Sequence, residues 1–510
     1  MRYLIGIDIG TSGTKTVVVD ETGRVKARAV AEYPLYTPKP QWSEQEPEDW
    51  WQATCRTVRE VLEKAGIDAG DVAGIGLSGQ MHGSVFLDEN HQVIRPALLW
   101  NDQRTQNECD WITDTVGRDR IVALLSNPVL TGFTAPKILW LRNHEPERYA
   151  RVRRVLLPKD FVRYRLTGEF ATEVSDASGT ALFNVKERTW AWEVLDAIGI
   201  PRDWMPAVYE SPEVSGRITE AAATATGLRP GTPVVGGGGD QAAGAVGNGI
   251  VQTGVVSSTV GTSGVVFAFS DTPVVDPQLR LHTFCHAVPG KWHLMGVMLS
   301  AGGSLQWYRD TFCQAEQTVA ATVGRDPYEL ICAGAATAPA GSEGLIFLPY
   351  LTGERTPYPD PNARGVLFGL TRRTNRAHVA RAILEGVAYG LNDSFLIMQG
   401  LGVPIREVRA SGGGARSALW RQILADVTGH AHVTINVDEG PAFGVALLAG
   451  VGTGVYPSVE AACAATIQPV DRTEPCTVNH AAYRRLHAVY QALYAHLKED
   501  FATVTQLING

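Results

Sequence analysis

Long hydrophobic runs are missing from this sequence. Its apolar stretches break within about ten residues, too short to span a membrane. Basic excess is missing too. The formal net charge is −8, and no Lys/Arg block is long enough to make a local patch, which excludes an extended nucleic-acid surface. Paired cysteines are absent: Cys55, Cys109, Cys285, Cys313, Cys332, Cys463 and Cys476 form no C-x-x-C and are odd in number. That is the usage of a reducing compartment, so a cytoplasmic location is expected. The opening MRYLIGIDIG enters a strand at once and has neither the charged n-region nor the cleavage site of a signal peptide. Glycine, by contrast, is plentiful. With 53 glycines and 45% hydrophobic residues in 510, the chain reads as a compact α/β protein with many tight turns. Its length predicts at least two large domains.

The most informative stretch is Ile5–Thr16, IGIDIGTSGTKT. Ile5, Ile7 and Ile9 alternate with Gly6, Asp8 and Gly10. The chain then turns through Thr11, Ser12 and Gly13 into Thr14, Lys15 and the apolar run Val17–Val19. This predicts two antiparallel strands joined by a glycine and hydroxyl turn. Backbone N–H groups and hydroxyls of such a turn can surround phosphate oxygens. Asp8 has the wrong charge for phosphate, but it fits if Mg²⁺ sits between them. The spacing is not that of a P-loop. An ordinary tight hairpin explains the glycines equally well and leaves Asp8 without a reason. Lys15 reaches a phosphate or forms an ion pair; both readings stand.

Further along, Pro47–Lys64 has helical periodicity stopped by Gly66. Val72–Leu77 is a strand running into Ser78-Gly79-Gln80-Met81-His82-Gly83. Gln80 and His82 offer donors for sugar hydroxyls and Met81 an apolar wall; a β-turn with a surface histidine is the alternative. The strand Ala97–Leu99 delivers Trp100, Asn101, Asp102 and Arg104. An aromatic face with a carboxylate suits a polyol, although Trp100 as core and Asp102–Arg104 as a local ion pair explain the stretch as well. Thr172–Thr180 is polar and a candidate cleft lining.

Val234-Val235 opens into Gly236–Gly239, then Asp240, Gln241 and a run of small residues at helical spacing. A carboxylate on a glycine loop ahead of a helix is placed to accept a proton from a substrate hydroxyl. N-capping by Asp240 is the competing reading, but it requires no more than one glycine, and four point to crowding. Val255–Val260 then leads through Gly261, Thr262, Ser263 and Gly264 into Val265–Phe269, so both Gly10–Gly13 and Gly261–Gly264 read G-T-S-G. Two such hairpins about 250 residues apart suggest a duplicated domain holding nucleotide between its copies. His378–Leu396 predicts an amphipathic helix with Ile383, Val387, Leu391 and Phe395 on one face. Ser411-Gly412-Gly413-Gly414-Ala415-Arg416 is a glycine turn between a strand and a helix.

These residues resemble the FGGY carbohydrate kinases, from Ile5 to about Leu448. The family's phosphate hairpins match Asp8–Lys15 and Gly261–Gly264, its base motif Gly237–Asp240, and its adenosine-side turn Gly412–Arg416. Ser78–Gly83, Trp100–Asp102, Phe133–Lys137 with Leu156–Asp160, and Leu348–Pro357 resemble the branch that phosphorylates D-xylulose.

The resemblance implies an α/β fold of the actin-like, ribonuclease H-like ATPase type, with two mixed-sheet domains and the active site in the cleft between them. The expected domains are residues 1–247, 248–485 and a helical tail 486–510. It further implies ATP and Mg²⁺, with Asp240 as catalytic base and Asp8 at the metal. Met81, His82, Trp100, Asp102, Asp240 and Gln241 are expected at the sugar. Thr11, Ser12, Gly13, Thr14, Lys15, Gly261, Thr262, Ser263, Gly264, Gly413, Gly414 and Ala415 are expected at the nucleotide. Gln241 departs from the branch's frequent asparagine. Ribulose, gluconate and glycerol stay open as alternative substrates. A homodimer is the association the resemblance implies.

Overall fold

The computed structural model describes residues 1–509. The first half contains β1 (Tyr3–Ile9), β2 (Gly13–Asp20), β3 (Val25–Glu32), β4 (Val72–Gly79), β5 (Val214–Arg217), β6 (Pro233–Val235) and β7 (Gly238–Gly239). They form a seven-stranded sheet in the order β5-β6-β4-β1-β2-β3, with β7 following β6 along the same edge of β4. The second half contains β8 (Gly254–Val260), β9 (Gly264–Ser270), β10 (His282–Cys285), β11 (Trp292–Met298), β12 (Ile405–Ser411), β13 (His432–Ile435) and β14 (Pro469–Thr473). Its seven-stranded order is β10-β11-β9-β8-β12-β13-β14. Both sheets therefore share an antiparallel meander whose first strand pairs in parallel with a fourth strand, itself parallel to a fifth, β3-β2-β1-β4-β6 against β11-β9-β8-β12-β13. G-T-S-G occupies the same turn in each. The architecture is the two-domain, mixed-sheet fold expected.

Helices α1 (Pro47–Ala65), α2 (Thr134–His144), α3 (Pro158–Thr167), α4 (Asp240–Gly247), α5 (Gly302–Phe312), α6 (Arg376–Gly400), α7 (Ala418–Thr428), α8 (Gly440–Gly452) and α9 (Thr477–Asn509) matter most for the site. The alternation in β1 is explained by two coverings. Ile5, Ile7 and Ile9 join one cluster with Trp50, Val58 and Val61 of α1, which ends on Gly66 in the left-handed conformation. On the other face, α8 lies against the strand backbones: a Cβ at Gly6 would fall 1.8 Å from Ala442 O, and one at Gly76 2.0 Å from Val445 O. Helix α4 crosses α8 as closely, since a Cβ at Gly444 would fall 1.9 Å from Ala243 O. Small residues at these places let a second-half helix pack on the first-half sheet.

Two expectations are corrected. Helix α6 is buried without a break from Ala380 to Phe395, not on one face alone. Its polar residues are paired inside: Arg381 with Glu385 at 2.8 Å, Tyr483 with Glu385 at 2.7 Å, and His487 with Asp393 at 2.9 Å. The period of the apolar residues was real, but α9 covers the side that looked solvated. The boundary at 485/486 falls inside α9, whose Tyr483, Tyr490 and Phe501 belong to the second-half core. None of the described helices is long and apolar enough to cross a membrane, and all seven cysteines are free.

The α4–α8 crossing generates a stability test. Gly444→Ala should lower the unfolding free energy by about 1–3 kcal/mol, because the helices must move apart. Gly334→Ala, in a helix where the added methyl meets nothing within 4 Å, should hold or raise it. Urea unfolding of both variants beside wild type measures this; equal midpoints would refute the close crossing.

Candidate active site

The first hairpin turn is held from outside. Gly10 N–H donates to Gly13 O at 3.1 Å. Tyr33 Oη donates to Gly10 O at 2.5 Å, Gln45 Nε2 to Thr11 O at 2.7 Å, and Trp100 Nε1 to Thr11 Oγ1 at 2.9 Å. Gln80, expected to face sugar, is buried and donates to Gln45 Oε1 at 2.9 Å, so it steadies the turn. Thr11, Ser12 and Gly13 are left facing outward, whereas Thr14 is fully buried in the sheet. Lys15, expected at a phosphate, is ion-paired to Glu439, just ahead of α8; Arg28 joins the same carboxylate at 3.1 Å. In the second hairpin, Gly261 N–H donates to Ser263 O at 3.0 Å. Gly261 O and Thr262 O accept N–H groups of Gly302 at 2.8 Å and Gly303 at 3.0 Å from the start of α5. Thr262 and Ser263 remain exposed beside the buried Gly264.

Between the hairpins lies the glycine loop. Gly237 has φ +71°, and a Cβ there would fall 1.9 Å from Leu77 O; one at Gly239 would meet Met81 Cγ at 2.9 Å. A Cβ at Gly236 would fall 2.5 Å from Glu210 O, so crowding by backbone and by Met81 accounts for three of the four glycines. Buried charges brace the same loop. Arg163 donates to Val235 O and Gly236 O, both at 2.6 Å, and Ser175 Oγ accepts Gly239 N–H at 3.1 Å. Behind them Lys159 pairs with Asp160 and Asp176, each at 2.9 Å. Thr172–Thr180, expected along the cleft, is buried throughout and belongs to this bracing. Residue-by-residue reading missed Arg163 and Lys159. Their signal was charge repeated about one helical turn apart in an apolar context.

Asp240 opens α4, and the cap position belongs to Gly239 with no side-chain cap bond, so the capping reading fails. Burial and then the charge of Asp8 push the Asp240 carboxyl up to about 7, against hydrogen bonds from Gln241. Burial likewise pushes Asp8 up to about 6, against Ser78 and Lys15. Asp8 Oδ1 is buried with no hydrogen-bond partner. Among the described residues no group of three or more His, Cys, Asp or Glu could cage a metal. An orphan carboxylate oxygen beside a second carboxylate fits a cation that keeps water and phosphate oxygens as its other ligands.

In the loop expected at the sugar, Met81 is buried and His82 takes φ +68°. His82 Nδ1 lies 2.7 Å from Gly179 O. A carbonyl accepts, so Nδ1 carries the proton. Burial, then Lys137, holds the ring neutral, which leaves Nε2 an acceptor. The ring packs against Phe133 at a tilt of 31°, with centroids 4.7 Å apart. Lys137 Nζ and Thr134 Oγ1 donate to His82 O at 2.9 and 3.0 Å, which is the work of the Phe133–Lys137 stretch. Burial pushes Lys137 down to about 7.

Asp102 is corrected. Both its oxygens are used inside the protein, by Arg104 with contacts from 2.6 Å and by Ser43 N–H at 2.7 Å. Trp100 is exposed and bound to the first turn rather than core.

A cavity of about 490 Å³ opens from Asp240 and Gln241 between the halves. Ser257 and Thr259 of β8, Gly412, Ala415, Thr434 and Asp438 line it. Of the expected glycine turn, Gly412, Ala415 and Arg416 reach the cavity. Gly413 stands in open space and Gly414 packs on Val260. The β8 hydroxyls went unread, although Ser257 and Thr259 stand two apart on one strand face.

The FGGY family of carbohydrate kinases matches with its N-terminal domain over residues 3–247 and its C-terminal domain over residues 256–453. A xylulose kinase of Escherichia coli (strain K12) is 41% identical, covering 97% of this chain and 99% of its own. One of Bacillus subtilis (strain 168) is 39% identical, covering 98% of each. The crystal structure of a xylulose kinase from Rhodospirillum rubrum superposes with TM-score 0.89 at 30% identity, covering 98% of this chain and 100% of that one. The chain belongs to the FGGY family of carbohydrate kinases.

Proposed function

We propose that the protein transfers the γ-phosphoryl group of ATP to the terminal 5-hydroxyl of D-xylulose, yielding D-xylulose 5-phosphate and ADP. The observation that carries this reading is the place of Asp240. Its loop touches Met81 of the sugar loop, and its side chain opens on the cavity between the halves, with Asp8 alongside. The sugar follows from nearly full-length likeness to xylulose kinases.

Asp240 accepts the hydroxyl proton as the sugar oxygen bonds to phosphorus and the bond to the β-phosphate oxygen breaks. Met81 and Gln241 flank the sugar, and His82 Nε2 accepts one of its hydroxyl protons in a hydrogen bond. Backbone and hydroxyls of Thr11–Gly13 and Thr262–Gly264 steady phosphate oxygens. Mg²⁺ would be held at Asp8 and would supply positive charge for the phosphates. Six buried cysteines without a disulfide suit a cytoplasmic enzyme.

Because the Asp240 carboxyl is raised, its base form grows as pH rises through about 7. In the free enzyme kcat/KM for sugar should therefore climb about tenfold per pH unit below that point and level above it. A pH profile flat from 5.5 to 8 would refute this.

Asp240→Asn should slow turnover by about 10²–10⁴-fold with little change in sugar or Mg·ATP binding. Its stability should move the other way. A carboxyl raised on folding binds its proton more tightly in the folded state, so its contribution to stability falls as pH climbs from about 4 to about 7. At pH 8 the variant should melt at or above wild type. Turnover within a few-fold of wild type would defeat the base assignment. The same ADP-release assay over D-xylulose, ribulose, gluconate and glycerol tests the substrate; preference for another sugar would reassign it.

His82→Ala should raise the sugar KM by about tenfold and leave that for Mg·ATP unchanged. An unaltered sugar response would return His82 to a structural turn.

A further inference from the structure

The sugar contacts above all come from the first half, yet one charged side chain of the second half stands at the same wall without a use. Arg355 sits in the loop Tyr350–Pro357, between two pinned residues. Glu354 Oε1 accepts the backbone N–H of Leu299 at 3.0 Å and of Arg355 at 2.7 Å. Thr356 is clamped to β11. Its N–H donates to Val297 O at 3.0 Å, and its hydroxyl accepts Val297 N–H at 3.1 Å. That hydroxyl also donates to Arg280 O at 2.9 Å, just ahead of β10. Val297 packs against the apolar cluster containing Met81, Phe133 and Phe284. The Phe284 ring lies 6.2 Å from His82, and His282 lies 6.1 Å from Phe133. The clamped loop therefore backs directly onto the wall that carries the sugar loop.

Among the described residues, no carboxylate, carbonyl or hydroxyl accepts from the half-buried Arg355 guanidinium. Glu354 is a poor counter-charge, because burial pushes its carboxyl up to about 8. The Arg355 charge helps to keep His82 and His282 neutral, whereas Asp240 feels Asp8 and Gln241. The clamp on Glu354 and Thr356 holds Arg355 beside the wall that carries His82. A guanidinium taken out of water needs oxygen acceptors. The protein offers none there, and a polyhydroxy ketone offers several.

We propose that Arg355 is a specificity-determining sugar contact delivered by the second half. Its guanidinium donates to oxygens at the end of the ketose remote from the phosphorylated hydroxyl, so that the sugar bridges the two halves. The inference rests on the assignment of the Met81–His82 loop to sugar in the preceding subsection. Lysine is a poor replacement, since one compact charge cannot fork to two oxygens.

The test uses Arg355→Gln, Arg355→Met and Arg355→Lys in the full chain. It measures steady-state kinetics with D-xylulose and Mg·ATP, and melting with and without D-xylulose. In Arg355→Gln the sugar KM should rise about 10- to 100-fold. The Mg·ATP KM and kcat should stay within about threefold. Unliganded melting should hold while the upward shift caused by D-xylulose shrinks. Lysine should recover only part of the loss. Glutamine and methionine fill the site differently, so whichever folds decides. A sugar KM within about twofold of wild type overturns the proposal. So does a joint rise of both KM values with lowered unliganded melting, which marks a structural role. If wild type phosphorylates another sugar of the panel instead, the substrate assignment fails by itself, and the same comparison with that sugar decides Arg355.

Discussion

Backbone lying on backbone is the constraint from which the rest of this structure follows. Helix α8 leaves the second half and settles on β1 and β4 so closely that side chains at Gly6 and Gly76 would overlap its carbonyls. Helix α4 then crosses α8 at Gly444. Because α4 begins at Asp240 and β1 carries Asp8, this packing sets how near the two carboxylates come. Glycine makes the approach sterically possible, and the apolar cluster shared by α4, α8, Phe267 and Phe269 makes it favourable.

That nearness has an electrostatic consequence. Burial raises both carboxyls, and the charge of Asp8 raises Asp240 further. A protein selected for stability alone would not keep Asp8 Oδ1 buried and unpaired. The arrangement suits a site that a cation and phosphates would complete. Charges farther back carry their own counter-charges. Lys159, Arg163, Asp160, Asp176 and Glu173 are buried together in ion pairs; Arg163 holds the Gly236 carbonyl of the loop, and Ser175 accepts the Gly239 N–H. Asp160 Oδ2 and Asp176 Oδ1 lack hydrogen-bond partners as Asp8 Oδ1 does, but the rear cluster holds its own buried cations, Lys159 and Arg163, and supports the loop.

The two hairpins show how one motif is adapted twice. The first turn is gripped by side chains from four distant places, Tyr33, Gln45, Gln80 and Trp100, directly or through one another. The second instead lends its carbonyls to the start of α5. Both devices leave hydroxyls and N–H groups facing outward, which is the property that a phosphate site needs.

The hairpins, the glycine loop ahead of Asp240 and the strand leading to Met81 and His82 were legible in the sequence, because each is a local pattern. Alternation along β1, turn residues between strands and small residues at helical spacing act within a few positions of one another. Tertiary structure alone decided what those residues touch. Asp102 met Arg104 and Ser43, Lys15 met Glu439, and Gln80 met Gln45, each closing off a sugar or phosphate role that its chemistry allowed. Helix α6 had an apolar stripe in sequence and is buried all round in space, because α9, from the far end of the chain, supplies partners for its polar residues. The same holds for Arg163 and Ser257, whose roles depend on strands far away in sequence. A residue's chemistry is local, but its availability depends on which distant donors and acceptors folding brings within hydrogen-bond reach.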